Sequence, residues 1–314
     1  MRALLVLALS GCGLGWIDGQ DDLTTGLPTS GAGPYARLES DDSTPASEPT
    51  FHDDNRASVE DPSMLAGGPG VRVWFTQATV EPVTSEIRYI EAASLRVLPS
   101  SPETVLTASE AWEEGVVSAP SVLANPEGGL VMFYEGGVTT PSIGRAVSTD
   151  GLSWEKDPDP VLVGATSPSA VFAYGETWLF ATRPGEVGIW RAVDAGSGFA
   201  FDAAAVIVPR SDEEDAFDRL TVAEPFALAV QTLDDDVTRI HLWFAGTTDL
   251  PNDATSIGYA ASFDGVEWLR FGGLKPMLAA EATAPTVVLE AAGGSMLFAE
   301  PSGGASFELN AASH

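Results

Sequence analysis

Apolar residues in this chain come in short runs separated by turns rich in Gly, Asp, Asn and Pro. Runs of that length between turn residues predict β-strands. One phrase organises them. A small or acidic residue, a proline and a small or aromatic residue precede an apolar run, a turn and a second apolar run. The copies are Asp61-Pro62-Ser63, Ala119-Pro120-Ser121, Ser167-Pro168-Ser169, Glu224-Pro225-Phe226 and Ala284-Pro285-Thr286. A repeat of about 50 to 60 residues made of short strands marks sheets set radially around an axis. Five copies predict an all-β fold, a five-bladed β-propeller with four-stranded antiparallel blades.

The second copy shows the internal grammar best. Strands are expected over 121–124, 130–134, 142–147 and 154–162, with Asp150-Gly151 turning the chain between the last two. Asp-Gly between apolar runs is a strong hairpin signal, since both residues tolerate positive φ. The fourth copy repeats it at Asp264-Gly265. The fifth copy reaches the last residue without an outer strand. A bare sheet edge is a liability, so a segment within residues 33–58 is expected to pair there and close the ring.

Charge narrows the partners. The 314 residues carry 45 acidic against 15 basic side chains, a net −30, and only Lys156 and Lys275 are lysines. Such a surface repels phosphate backbones, so nucleic acid is not an expected partner. The surplus reads as a solvated coat that keeps the protein soluble. Residues 1–11 combine Arg2 with an apolar run too short to span a bilayer and read as a signal peptide. Residues 12–55 are rich in Gly, Asp, Ser, Thr and Pro and read as a flexible, disordered linker, with 34–38 able to order against the body. The propeller is expected over 56–314. Disulfides play no part, because Cys12 is the one cysteine.

Strand direction locates the chemistry. Neighbouring strands in a blade are antiparallel, so starts of inner strands and ends of second strands share one face. That face collects Asp61, Ala119, Ser167, Glu224 and Ala284, with Gln77, Glu135, Arg183, Thr247 and Glu300 beside them. The Asp-Gly turns fall on the opposite face and read as structural. For Asp61 and Glu224 two roles stand open, catalysis or capping of neighbouring backbone N–H groups. Asp218 lies on the approach to blade 4, within reach of the funnel. Glu135 and Glu300 end apolar strands, where turn solvation is the plainer role; Arg183 is expected to pair with Glu224 or Asp61. His52, His241 and His314 are unclustered, and the acidic runs 212–215 and 234–236 read as solvated turns, so neither metal nor cofactor is expected.

The stretch Ile143-Gly144-Arg145-Ala146-Val147-Ser148-Thr149-Asp150-Gly151-Leu152-Ser153-Trp154, with Pro160-Val161-Leu162 after it and Pro120-Ser121-Val122 before it, resembles the five-bladed glycoside hydrolase superfamily. That group includes the arabinanase- and xylosidase-like family 43, the invertase-like family 32 and the mannoside phosphorylases. The resemblance spans about residues 55–310 and is more specific for fold than for activity. It implies a carboxylate pair flanking a glycosidic oxygen. It places a base at Asp61, with Glu224 or Asp218 as acid and Arg183, Glu135 and Gln77 contacting sugar hydroxyls. The family's second-blade aspartate falls at Ala119 and its third-blade glutamate near Ser167, so both are replaced here. A phosphorylase needs a cationic cluster for phosphate, and only Arg183 is well placed. The resulting expectation is a monomeric, divergent glycosidase-like protein with carbohydrate as its partner. The alternative is a non-catalytic glycan- or protein-binding propeller.

Leu9-Ser10-Gly11-Cys12 resembles the bacterial lipobox, in which cleavage precedes a cysteine that then carries lipid. The resemblance implies a lipid-anchored protein of the bacterial cell envelope, touching membrane through that anchor alone. Replacing Cys12 by Ser is therefore expected to release the protein from the membrane fraction; equal retention of the variant contradicts the anchor.

Overall fold

The computed structural model describes residues 15–17, 34–38, 51, 58–67, 70–79, 83–96, 98–99, 101–194, 196, 198–232, 237–248, 255–279, 281–290, 293–303 and 306–313. Cys12, His52, His314 and the acidic run 234–236 lie outside them. Five antiparallel sheets of four strand positions each form the blades. Lettering runs from the axis outward. Strands a are Ser58–Gly67, Val117–Ala124, Thr166–Ala173, Thr221–Thr232 and Thr283–Glu290. Strands b are Gly70–Thr79, Leu130–Gly136, Glu176–Thr182, Thr238–Thr247 and Gly293–Gly303. Strands c are Thr84–Ala92, Ser142–Ser148, Trp190–Asp194, Ser256–Ser262 and Ser306–Ser313. Four blades end on short outer strands: Glu103–Thr107, the split pair Glu155–Lys156 and Leu162–Val163, Phe199–Phe201, and Leu269–Arg270. In addition, Gly15–Ile17 pairs in parallel with the far end of strand a in blade 4.

The outer strand of blade 5 comes from the N-terminal part of the chain. Ala36–Arg37 pairs with strand c of that blade, Ala36 opposite Ser313 and Arg37 opposite Ala312. Phe51 and Leu309 exchange backbone hydrogen bonds at 3.0 and 2.9 Å beside it. Glu300 has a structural task here and not the turn solvation read from sequence. It holds the Arg37 guanidinium at 2.5 Å and accepts from the Asn310 side-chain amide at 2.6 Å.

The core lies between blades. Each neighbouring pair of sheets encloses its own apolar cluster, five clusters for five junctions. Buried aromatics such as Trp74, Phe75, Tyr134, Phe180, Trp243, Phe244 and Phe298 fill them. Polar clamps hold the outer parts of the blades in step. The Trp74 indole N–H donates to the Gly151 carbonyl at 2.9 Å, and Arg72 donates to the Asp150 carbonyl of the same turn. Arg191 grips the Asp264 carbonyl at 2.7 Å in the matching turn of blade 4. The carboxylates of both turns are spent locally: Asp150 accepts from Leu152 and Ser153, Asp264 from Val266 and Glu267. Gly151 and Gly265 have φ of 82° and 70°, and a Cβ on either would run into the neighbouring blade's Trp74 or Trp178.

Nearer the axis, the third residue of the repeated phrase ties one blade to the next. Ser63 accepts the Val122 N–H at 2.9 Å, Ser121 the Ala170 N–H at 2.8 Å, Ser169 the Ala227 N–H at 2.7 Å and Thr286 the Met64 N–H at 3.0 Å. Phe226 stands at that position in blade 4 and has no hydroxyl to offer. Replacing Ser169 by Ala would leave a buried N–H without its acceptor, at a cost of about 1–3 kcal/mol. The expected result is a lower urea midpoint with unchanged slope; an unaltered midpoint contradicts the role given to these hydroxyls.

Candidate active site

Every strand a carries a bulge at the same place. Residues 61 and 62 together oppose one residue of strand b, and so do 119–120, 167–168, 224–225 and 284–285. The second residue of each pair is proline, tolerated because a bulge leaves a backbone group out of the ladder. The first has positive φ: 50° at Asp61, 46° at Ala119, 50° at Ser167, 50° at Glu224 and 46° at Ala284. Non-glycine residues avoid this region, and it persists where surrounding structure imposes it. Here the five-fold repetition imposes it, and the bulge turns each of these residues toward the axis.

They line one axial pit together with the prolines that follow them. The pit opens to solvent, and its cavity volume of about 40 Å³ gives room for a few water molecules. Two of its five bulge residues are carboxylates, Asp61 and Glu224; the other three are Ala119, Ser167 and Ala284.

Two carboxylates near the pit, Glu135 and Glu224, accept backbone N–H groups directly, and Asp61 is linked to one through Thr76. The N–H of Ala119 donates to Thr76 Oγ1 at 2.8 Å, and the Thr76 hydroxyl lies 3.1 Å from Asp61 Oδ2. The N–H of Ser167 donates to Glu135 Oε2 at 2.9 Å, and that of Ala284 to Glu224 Oε2 at 2.8 Å. Thr283 donates its hydroxyl to the same Glu224 oxygen. Thr76 and Glu135 occupy the same position in blades 1 and 2, opposite Glu60 and Ser118. In blade 4 that position is Ala245, which cannot accept, and Glu224 itself serves the next blade.

Burial raises all the acids of the cluster, and repulsion by neighbouring carboxylates adds to it at Glu60, Glu135 and Glu224. Asp61 is pushed up to about 6 by burial, against the pull of the Thr76 hydroxyl and the Ala119 N–H. Glu224 reaches about 7 through burial and then the charge of Asp61, with the Ala284 N–H opposing. Glu135 reaches about 7 through burial, the Ser167 N–H opposing and the Asp61 charge adding. Glu60 goes highest, to about 8, through burial and the charges of Asp61, Glu224 and Glu135. Reading the sequence missed Glu60. Strict strand alternation sends neighbours to opposite sides, but the bulge at Asp61 cancels alternation and keeps Glu60 within the same field.

The remaining candidates lie elsewhere. Asp218 is fully buried, with Oδ1 held by Arg210 at 2.7 Å and Oδ2 by Arg270 at 2.6 Å, and it does not line the pit. Arg183 pairs with Glu186 at 3.0 Å, not with Glu224 or Asp61, and lies over the rings of Trp190 and Phe201. Gln77 lines a second hollow of about 410 Å³ with Thr79, Thr84, Glu86 and Thr107. His241 is buried and stays neutral, its pKa pushed down to about 3 by burial and then by the Arg239 charge, with Nδ1 2.6 Å from the Tyr259 hydroxyl.

No family model matches the sequence, and no curated protein matches it either. Solved structures do resemble the fold. One comes from work on the GH130 family of mannoside phosphorylases, described as containing glycoside hydrolases that target β-1,2 mannosidic linkages in Candida mannan. It aligns at a TM-score of 0.70 and 14% identity, over 92% of this protein and 95% of that one. A glycosyl hydrolase from Bacteroides ovatus aligns at 0.64 and 14% identity, over 82% and 84%. The structure of an RGII complex aligns at 0.64 and 13% identity, over 84% and 89%. The protein thus has the five-bladed propeller fold found among glycoside hydrolases.

The raised acids fix a pH dependence. Between about pH 4.5 and 8 the folded protein holds more protons than the unfolded one, whose carboxyls titrate near 4. Their contribution to stability is therefore complete at low pH and lost as pH rises through about 6 to 8. The thermal midpoint is expected to fall over this interval, and to fall less in an Asp61→Asn/Glu224→Gln double variant; parallel curves contradict the cluster's role.

Proposed function

We propose that the protein is a glycan-active propeller that cleaves a glycosidic bond over its axial pit, with Asp61 as base and Glu224 as acid. The observation that carries this reading is the meeting of two carboxyls from distant blades in one pit, on strained residues that fix their aim. Acid and base work best when their proton affinities are pushed apart. The Asp61 charge favours the proton on Glu224, while two donors keep Asp61 an acceptor. Glycoside hydrolysis needs this division, one carboxyl protonating the leaving oxygen and the other activating water or attacking the sugar. The pit's volume suits water held beside Asp61 below a sugar seated over the mouth. Glu135 is assigned to a sugar hydroxyl at that mouth; Arg183 is left out, since it pairs with Glu186 and lies over Trp190 and Phe201. Asp218 is left out, since both its oxygens are committed to arginines.

A second reading is a non-catalytic glycan-binding platform. Ala119, Ser167 and Ala284 at three of the five bulges favour it, as does the use of one Glu224 oxygen to hold blade 5. Under either reading we assign Cys12 as a lipid-bearing residue that holds the propeller at a bacterial envelope surface.

Reducing-end release from a panel of plant and yeast oligosaccharides separates the two. Turnover by the wild-type protein, reduced about 10²–10⁴-fold in both Asp61→Asn and Glu224→Gln, is expected. Binding without release, or variants as fast as wild type, contradicts the hydrolase reading.

A further inference from the structure

We propose that Thr76 is a positioning residue that holds Asp61 as the proton acceptor of the pit. The role given to Asp61 rests on the hydrolase reading; the hydrogen-bond relay does not.

Thr76 is 1% exposed. A hydroxyl has a single hydrogen and two lone pairs. One lone pair accepts the Ala119 N–H at 2.8 Å, a donor that cannot reverse, since a backbone amide has no lone pair to offer. The hydroxyl hydrogen is then free to point to Asp61 Oδ2, 3.1 Å away. The relay from Ala119 N–H through Thr76 O–H to Asp61 therefore runs in one direction, and each bond polarises the next. It ends on an oxygen that must present a lone pair, so a proton on Oδ2 is disfavoured. The titratable groups facing Asp61 are carboxyls too: Glu60 beside it on strand a of blade 1, Glu135 on strand b of blade 2 and Glu224 on strand a of blade 4. A hydroxyl donates more strongly to an ionised carboxylate than to a neutral acid, so the bond favours protons on those neighbours over Asp61.

Comparison among blades argues that this is more than a backbone cap. Glu135, at the matching position of blade 2, accepts the next blade's N–H directly. Thr182 in blade 3 spends its hydroxyl on Thr166, and Ala245 in blade 4 has none. Among these four blades, blade 1 alone places a hydroxyl that accepts from the next blade and hands the polarisation to a carboxylate on its own bulge.

The test is a ¹³C NMR titration of the Asp61 carboxyl in the full-length protein, compared with Thr76→Val and Thr76→Ser. Valine keeps the volume and removes both hydrogen bonds; serine restores them. The midpoint of Asp61 is expected to rise by roughly one pH unit in Thr76→Val, and to return to the wild-type value in Thr76→Ser. An Asp61 midpoint unchanged in Thr76→Val overturns the proposal. If the valine variant does not fold, Thr76→Cys, a weak donor and acceptor, is expected to give an intermediate rise, and a wild-type midpoint there overturns it equally. The titration needs no substrate, so absence of turnover on every glycan would end the hydrolase reading and leave this result standing. With turnover, the acidic limb of the pH–rate profile is expected to move up with the Asp61 midpoint in the valine variant alone.

Discussion

The hydrogen bond from one inner strand to the next organises this molecule. Each blade alone is a small twisted sheet with two apolar faces, and it is stable only when neighbours cover both. The interblade clusters supply that cover without direction, since apolar burial is indifferent to small slips between sheets. Direction comes from the Ser63, Ser121, Ser169 and Thr286 hydroxyls, each taking one named backbone N–H of the adjacent blade. They set the axial height of neighbouring blades, and with it the height of all five bulges.

At one seam the scaffold and the candidate chemistry become the same group. Blade 4 has Phe226 where the others have a hydroxyl, and Ala245 where blades 1 and 2 have an acceptor. Glu224 takes over by accepting the Ala284 N–H. A carboxyl used in this way is held in a fixed position before any ligand arrives. Preorganisation of that kind is what an acid catalyst needs, and it equally explains why a carboxylate would survive there as a cap. The two roles share one geometry, and chemistry on a sugar is the readout that separates them.

The fold was legible in the sequence because its stabilising device is local and repeated. The proline is a bulge residue, the serine after it is the interblade acceptor, and the Asp-Gly turn is the outer clamp. Ring closure from residues 33–58 followed from the missing strand alone, and Ala36–Arg37 fills that place. The site was legible only where it coincided with the repeat, at Asp61 and Glu224. Thr76 and Glu60 escaped because their roles depend on contacts across blades and on a bulge that breaks strand alternation. Asp218 was misleading for the opposite reason. It sits near the funnel in sequence, yet Arg210 and Arg270 draw it into a buried ion-pair cluster. Arg183 was assigned acidic partners across the pit, and the nearer Glu186 claims it.

The crystallographic separation of the Asp61 and Glu224 carboxyls tests the convergence on the axis most directly. Values between roughly 5 and 9.5 Å, with the nearest oxygens facing across the pit, are expected, since that range lets two carboxyls flank one glycosidic bond. A distinctly wider gap, or a Glu224 carboxyl turned wholly into the seam with blade 5, would contradict a catalytic pair and leave the pit as scaffold.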